Sequence, residues 1–189
     1  MEILKAIEER RAYRALSPEA LPAGAAERIV QAGTLAPSCY NNQPWRIVSA
    51  SGSGLEALRP ALSEGNAWAL DAPMIIAMSV RASDDCRLDE GRDYALFDAG
   101  LCSMAMMLQA TEEGLVAHPI AGYNPKKAKA ALGIPKDHVL IALIIVGRKA
   151  ADISDATLSS WQVTAEKSVR SRKPLTEVVS LESWNKDWN

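Results

Sequence analysis

The sequence predicts a single domain in which helices cover a sheet of buried strands, and three observations lead to this fold class. The chain has 189 residues, enough for one sizeable core but hardly for two. Two nearly continuous aliphatic runs, at residues 74–80 and 139–146, are typical of strands covered on both faces. Between them lies a long apolar helical stretch, at residues 93–113. By themselves these patterns favour an α/β fold with parallel strands.

Shorter elements precede the first aliphatic run. Apolar residues at helical spacing begin at Ile3 and predict a first helix. Residues 25–35 are predicted to form a second helix. Residues 37–44 have the composition of a loop, and residues 45–50 that of a short strand ending at the turn sequence SGSG.

The helix predicted at residues 93–113 ends at Gly114, as glycine-capped helices do. Its apolar residues occupy almost every side of the helix. A helix buried all round needs either a large domain or a second subunit. In a chain of this length we expect the second subunit.

The rest of the chain divides into a compact part and a polar tail. Asn124-Pro125 predicts the start of a short basic helix that ends at Gly133. Residues 150–189 are polar, with one strand candidate at residues 175–179. The tail also carries three of the five tryptophans: Trp161, Trp184 and Trp188. Because exposed tryptophans are costly in water, we expect this C-terminal arm to pack across a partner subunit.

Composition excludes several classes of partner. The 21 basic and 23 acidic side chains give no basic excess, so we expect no nucleic-acid partner. The apolar runs are too short to cross a bilayer, so we expect no membrane partner. Two histidines without metal-ligand spacing predict no metal site. The three cysteines show no CxxC motif or even framework, and the start of the chain lacks a signal-peptide core, which together predict a cytoplasmic protein.

Two pairs of arginines have the spacing of an anion clamp. Arg10 and Arg14 share one face whether the chain is helical or extended, and Arg170 and Arg172 repeat the extended spacing. Guanidinium groups match the geometry of phosphate oxygens, so the two pairs can hold one phosphomonoester. Spacing alone favours the alternative, two solvated basic faces.

Two further segments carry candidate ligand contacts. The loop at residues 37–44 concentrates hydroxyl and amide side chains beside Trp45, which suits either a flat heterocycle with polar edges or a capped turn. Residues 119–122 combine a stiff apolar wall with a glycine that lets a ligand approach the backbone. Taken alone, that segment favours the alternative, an ordinary connection between two helices.

In order and spacing, these segments resemble the nitroreductase family. RRAYR at residues 10–14 resembles the family's RRSxR phosphate motif, APSCYNNQPW at residues 36–45 its APSxxNxQPW motif, and GLVAHPIAGY at residues 114–123 its GLxxxPIxGF segment. AALGIP followed by VLIALIIVGR, and the later SRKPLTEVV, are similar to the family's closing motifs. The resemblance covers nearly the whole chain, and APSxxNxQPW is its most specific motif.

The resemblance implies an α+β fold of three layers around a central, mostly antiparallel sheet, which replaces the parallel sheet favoured above. Residues 1–189 would form one domain, and the arm at residues 150–189 would be exchanged between the subunits of a homodimer. The implied activity is that of an FMN-dependent oxidoreductase. It would pass hydride from NADPH or NADH to a small-molecule acceptor, such as a nitroaromatic compound or a quinone, by a ping-pong mechanism.

Other functions remain open on the same resemblance. Relatives of this fold perform reductive dehalogenation or flavin degradation, and reduction of an enal or aldehyde is a further alternative for this chain. A flavin-binding dimer without turnover is the alternative from another class. Hydride chemistry would belong to the flavin, so no catalytic side chain is predicted.

Matching positions carry the family's FMN contacts onto this sequence. The phosphate would be held by arginines from both ends of the chain: Arg10, Arg14, Arg170 and Arg172, with Arg11 beside them. The ribityl chain and ring would contact the first loop through Pro37, Ser38, Cys39, Asn41 and Gln43.

The second segment would lie along the flavin ring through Pro119, Ile120, Ala121 and Gly122. The backbone amide of Ala121 or Gly122 would donate to flavin N5. Asn66 would contact the pyrimidine edge. Tyr40 and Trp68 are candidates for lining the acceptor cleft, with simple packing as their alternative role.

Three positions depart from the family pattern. Ala12 replaces the usual serine of the phosphate motif, which removes one hydroxyl donor. Ala121 stands where some members have glutamate. Cys39 occupies a position that usually holds a small residue and could be a redox thiol near the flavin. Because no resolving cysteine is evident in the sequence, we interpret Cys39 as a small buried residue.

Overall fold

The two aliphatic runs lie side by side at the centre of an antiparallel sheet. The computed structural model describes residues 2–184, so Trp188 lies outside the described residues. The sheet contains five strands: β1 (Leu16–Ser17), β2 (Trp45–Ala50), β3 (Met74–Val80), β6 (Val116–Ile120) and β7 (Val139–Lys149). β7 pairs with β1, β3 and β6, and β3 also pairs with β2.

Every pairing in this sheet is antiparallel. The parallel arrangement favoured by the aliphatic runs alone is therefore wrong, and the mostly antiparallel sheet implied by the resemblance is confirmed. The runs are aliphatic because both faces of the sheet are covered. Ile75 and Ala77 of β3 belong to one core, while Ile76 and Met78 belong to the core on the other face. Burying such an aliphatic side chain contributes about 1.5–3 kcal/mol.

Helices form the two outer layers. α2 (Ala25–Thr34) and α4 (Tyr94–Glu112) cover one face of the sheet, and α3 (Gly52–Leu58) and α5 (Pro125–Leu132) cover the other. α1 (Lys5–Glu9) and α6 (Ser160–Lys167) lie near the two ends of the chain, and β4 (Arg87–Leu88) pairs with β5 (Arg92–Asp93) in a separate hairpin. No helix of the described residues is long and apolar enough to cross a membrane.

The capping residues fix the helices where the sequence predicts them. The Asp93 side chain accepts from the Ala95 amide at the start of α4, and Gly114 follows its end with a φ of 71°. Asn124 caps α5 through the Lys127 amide, and Gly133 ends it in the left-handed conformation. Both predicted helices are confirmed to within one residue.

α4 is only partly covered by its own chain. Cys102 and Met106 are buried against α2, so closely that a Cβ at Gly33 would lie 2.6 Å from Met106 Cγ. On another side Leu96 and Phe97 remain half-exposed or more. The predicted second subunit around this helix stays a prediction.

The C-terminal segment after α6 contains little regular secondary structure. Residues 175–179 form no strand, contrary to prediction, and contain instead the 3₁₀ turn Leu175–Glu177. No strand within residues 2–184 pairs with this segment, so it lacks the ladder hydrogen bonds that a strand needs. Its apolar side chains Val169, Leu175 and Leu181 are largely exposed.

Candidate functional site

Three guanidinium groups converge on an open cavity of about 530 Å³. The cavity lies between the N-terminal segment, α4, β6 and the segment that follows α6. Its lining residues are Ile7, Arg10, Ala12, Met104, Met107, His118, Pro119, Arg170 and Arg172. The structure thus joins arginines that are about 160 positions apart in the sequence.

The positive charge at this cavity is uncompensated. Burial, followed by the neighbouring charges of Arg172 and Arg170, lowers the pKa of Arg10 from its ordinary value. In the described part of the chain, no ion pair joins any of the three to a carboxylate. Guanidinium groups that repel one another without an acidic partner suit a multiply charged anion such as a phosphate.

Backbone carbonyls hold Arg170 in place. Its Nη1 donates to the carbonyls of Ile7, at 3.1 Å, and Arg10, at 3.3 Å. This contact fixes the segment after α6 against the end of α1. The anion site therefore depends on the position of both chain ends.

Arg11 and Arg14 lie beside the cavity and are not among its lining residues. Arg11 Nη2 donates to the Ser168 carbonyl at 2.7 Å. The Arg14 guanidinium carbon lies 5.0 Å from the centroid of the Trp161 ring, and the Arg14 amide donates to buried Glu166. These contacts tie the N-terminal segment to α6.

His118 is a buried member of the cavity wall that the sequence analysis did not single out. Its Nδ1 lies 3.0 Å from the Tyr13 carbonyl, and its ring stacks on Trp68 with centroids 4.8 Å apart. Burial is the main cause that lowers its pKa to about 4, and the charges of Arg14 and Arg10 add to it. The ring is therefore neutral at pH 7, with Nδ1–H donating and Nε2 left as an acceptor. A polar residue inside the apolar VAHPI strand was the available sequence signal.

Titration of His118 predicts a pH-dependent stability. Between pH 6.5 and about 4, the unfolded chain binds a proton that the folded chain does not. The free energy of unfolding should therefore fall as pH decreases through this range, by about 3 kcal/mol from this group. Denaturant unfolding at several pH values measures it, with His118→Phe as control because phenylalanine retains a ring beside Trp68. Equal pH slopes in the two proteins would contradict the assignment.

Asn66 braces the segment that contains Gly122. Its Nδ2 donates to the Gly122 carbonyl at 2.8 Å, and its Oδ1 accepts from Trp68 Nε1 at 3.2 Å. The Ser63 amide donates to the same carbonyl at 3.1 Å. Both ends of the Asn66 amide are thus engaged by the chain, and Trp68 is buried in the core. This placement agrees with a packing role for Trp68.

The loop at residues 37–44 has a constrained backbone. Tyr40, Asn41 and Gln43 have φ values of 48°, 59° and 50°, a region that costs non-glycine residues about 1–3 kcal/mol each. The Ser38 hydroxyl accepts from the Gln43 amide at 2.9 Å, and the Tyr40 side chain is almost fully exposed. Residues held in this way at the surface are typical of binding loops. None of them, nor Pro37, lines the arginine cavity of its own chain.

Cys39 in this loop is bonded to Cys86, with 6.2 Å between their Cα atoms. The interpretation of Cys39 as a small buried residue without a resolving cysteine is therefore wrong, since Cys39 is disulfide-bonded and partly exposed. The strand register explains the pairing: Trp45 pairs with Val80, Cys39 lies six residues before Trp45, and Cys86 lies six residues after Val80. The two cysteines consequently emerge opposite each other at one end of β2 and β3.

Comparisons with known proteins agree with this fold. The model of the nitroreductase family matches residues 7–67 and 64–148. A putative NAD(P)H nitroreductase, YdgI of Bacillus subtilis, is 27% identical over 86% of this chain and 97% of its own. A protein named NADH dehydrogenase from Thermus thermophilus is 26% identical over 76% of this chain and 85% of its own.

Solved structures are similar over nearly the whole chain. One described as an oxidoreductase containing FMN is 27% identical and has a TM-score of 0.84, covering 98% of this chain and 94% of its own. A putative nitroreductase in complex with FMN, from Exiguobacterium sibiricum, has a TM-score of 0.77 at 21% identity, covering 96% of this chain and 98% of its own. The second likeness concerns the fold alone.

Proposed function

The chain belongs to the nitroreductase family, and from that premise we propose that it is an FMN-dependent oxidoreductase that transfers hydride from NADPH or NADH to a small organic acceptor. The convergence of Arg10, Arg170 and Arg172 on one cavity is the observation that carries the proposal. The relatives named NAD(P)H nitroreductase and NADH dehydrogenase support a nicotinamide reductant. The neighbour described as containing FMN supports the flavin.

The cavity fits the phosphate end of FMN. Burial and then the charges of Arg172 and Arg170 lower the pKa of Arg10, and a dianionic phosphate would stabilise the charged guanidinium against both. Each guanidinium can donate two parallel hydrogen bonds to phosphate oxygens. Ala12 lines the same cavity without a hydroxyl to contribute, so the three arginines carry the phosphate contact.

The ring would lie against the wall formed by residues 119–122. Met104, Met107 and Pro119 give the cavity an apolar side, and Asn66 holds the Gly122 carbonyl in place. In this proposal the amide of Ala121 or Gly122 donates to flavin N5, and the residues of the loop at 37–44 contact the ribityl chain and ring. When bound, FMN supplies the hydride chemistry; the chain binds it, orients it and limits access of water.

A homodimer would complete the site, because the loop at residues 37–44 does not line the cavity of its own chain. The exposed Leu96 and Phe97 of α4, and the apolar side chains of the C-terminal segment, are the surfaces that a partner subunit would cover. We propose that residues 1–189 form one domain and that the arm at residues 150–189 packs on the partner.

The absorption spectrum of the purified protein, before and after anaerobic addition of NADPH or NADH, tests this function. We expect flavin peaks that bleach on reduction and return when a nitroarene or a quinone is added. Protein that remains colourless after incubation with FMN would contradict the proposal. Product analysis then separates nitro or quinone reduction from dehalogenation and aldehyde reduction.

A further inference from the structure

The disulfide between Cys39 and Cys86 joins the loop at residues 37–44 to the segment that follows β3. Both cysteines are partly exposed, so a small thiol in solution can reach the bond. The bond restrains a loop in which three non-glycine residues have positive φ values. These positive φ values cost free energy in an unrestrained chain. If the bond were broken, the loop could therefore leave this conformation.

Two carboxyl groups and an amide surround this disulfide. Asp98 is 1% exposed and accepts from the Cys39 amide at 2.7 Å. Asp85 accepts from the Cys86 amide at 2.8 Å and from Asn42 Nδ2 at 3.1 Å. A carboxylate oxygen of Asp85 and the two sulfurs all lie within 4.8 Å of one another.

These groups exceed what a structural cross-link requires. Burying a carboxyl group costs free energy unless the group is well paired, and a disulfide bond needs no acid beside it. Burial raises the pKa of Asp98, and the neighbouring Asp85 raises it further, while the Cys39 amide opposes the shift. Asp98, which accepts from the Cys39 amide, can therefore hold a proton close to the disulfide, and a thiolate released in thiol–disulfide exchange must take up a proton.

We propose that Cys39 and Cys86 form a reversible thiol–disulfide site, reduced by a dithiol, that controls the conformation of the loop at residues 37–44. The reductant's thiolate attacks Cys39 Sγ, and the bond between the sulfurs breaks with its electron pair on Cys86 Sγ. The second thiol of the reductant then displaces Cys39. Two electrons and two protons pass to the protein, and the reductant becomes a disulfide.

The direction of attack follows from the contacts of Cys86. Asn42 Nδ2 lies 3.7 Å from Cys86 Sγ, so an N–H group can stabilise the thiolate that leaves. Asp85, beside both sulfurs, can relay the proton that this thiolate takes up. A better-stabilised leaving thiolate speeds exchange, which makes Cys39 the sulfur that is attacked.

The effect on flavin binding rests on the function proposed above. If the freed loop adopts its binding conformation one-tenth of the time, affinity for FMN falls about tenfold. In a cytoplasmic protein, a disulfide of this kind is expected to be catalytic or redox-sensing. Redox state would then control occupancy of the flavin site.

The first test counts thiols in the folded protein equilibrated with mixtures of reduced and oxidised dithiothreitol. After an acid quench and alkylation in denaturant, we expect one thiol at the oxidising end and three at the reducing end, reversibly, with unchanged circular dichroism. The constant thiol is Cys102, which is buried and whose pKa burial raises to about 12. In the control Cys102→Ala, the counts should be zero and two.

The second test measures hydrogen exchange of residues 37–44. Reduction should speed exchange at least tenfold in this loop, and Cys86→Ser should do the same under oxidising conditions while leaving Cys39 in place. The proposal would be overturned by three thiols at every buffer ratio, by reduction that occurs only on global unfolding, or by a wild-type exchange rate in Cys86→Ser.

FMN titration of the oxidised and the reduced protein separates this proposal from the proposed function. If the disulfide switches reversibly but neither form binds FMN, only the proposed function is contradicted. If the oxidised and reduced proteins bind FMN with equal affinity, the disulfide does not control the flavin site.

Discussion

Replacing both Arg10 and Arg172 with alanine is expected to weaken FMN binding about a thousandfold. A hydrogen bond to a charged group contributes about 1.5–3 kcal/mol, so loss of two guanidinium groups removes about 4 kcal/mol, and each 1.4 kcal/mol is a factor of ten in affinity. Arg170 would remain, held by the carbonyls of Ile7 and residue 10. Quenching of flavin fluorescence during titration measures the affinity.

Riboflavin provides the sharpest control because it lacks the phosphate. The double variant and the wild type should bind riboflavin equally if these arginines contact only the phosphate. Arg148→Ala removes a guanidinium group that belongs to a surface pair with Glu19 and should leave FMN affinity unchanged. An equal loss of affinity for riboflavin and FMN would place the arginines elsewhere on the ligand or show that the variant is misfolded.

The stability of the same variant gives a second readout. Burial, and then the neighbouring charge of Arg172, lower the pKa of Arg10, so the two guanidinium groups destabilise the protein when no anion is bound. The unliganded double variant should therefore unfold at the same temperature as the wild type or at a higher one. In contrast, excess FMN should raise the unfolding temperature of the wild type much more than that of the double variant, because a ligand stabilises the folded state in proportion to how tightly it binds.

Local signals in the sequence were sufficient to predict some of the elements. They failed at residues 175–179, which form no strand, at the SGSG sequence, which begins α3 and not a turn, and at β6 and α6, which were not predicted. The limits of β2 and β3, at residues 45–50 and 74–80, agree with prediction because turn residues and changes in polarity mark both ends of each strand. The cap residues Asn124 and Gly133 fixed α5 in the same way. Strand direction has no comparable signal. β3 is aliphatic because a core covers each of its faces, and this would hold for parallel and antiparallel neighbours alike. Only the family resemblance supplied the strand direction.

The site was less predictable because it depends on contacts between distant residues. Arg10 and Arg14 were paired in the prediction because they share one face, as Arg170 and Arg172 do, yet Arg14 stacks on Trp161 outside the cavity. The Cys39–Cys86 bond follows from antiparallel pairing of Trp45 with Val80, and the sequence alone favoured parallel strands. Once the register is known, equal offsets from that pair identify the two cysteines. Asp98 lies among apolar residues of α4, and a carboxyl group in that position was a signal that the sequence analysis did not use.

The substitution Gly122→Ala is expected to damage both stability and FMN binding. A Cβ at this position would lie 2.3 Å from Asn66 Nδ2 and 3.5 Å from Asn66 Cγ, so the Asn66 side chain must move. That movement breaks its hydrogen bonds to the Gly122 carbonyl and to Trp68. Overpacking costs about 1–3 kcal/mol and each lost hydrogen bond about 1 kcal/mol. We expect a total near 3 kcal/mol and an unfolding temperature lower by about 10 °C, with FMN affinity about tenfold weaker because the wall at residues 119–122 shifts.

A double-mutant cycle identifies the cause of this effect. In the Asn66→Ala background the obstructing amide is gone, so Gly122→Ala should cost far less than in the wild type, and the two substitutions should be strongly non-additive. Gly65→Ala is the matched control, because a Cβ there meets nothing within 4 Å although it adjoins Asn66. Additive costs would show that Gly122 is required for another reason, such as direct contact between its backbone and the flavin ring. In that case FMN affinity should fall in Gly122→Ala by the same factor whether or not Asn66 is present.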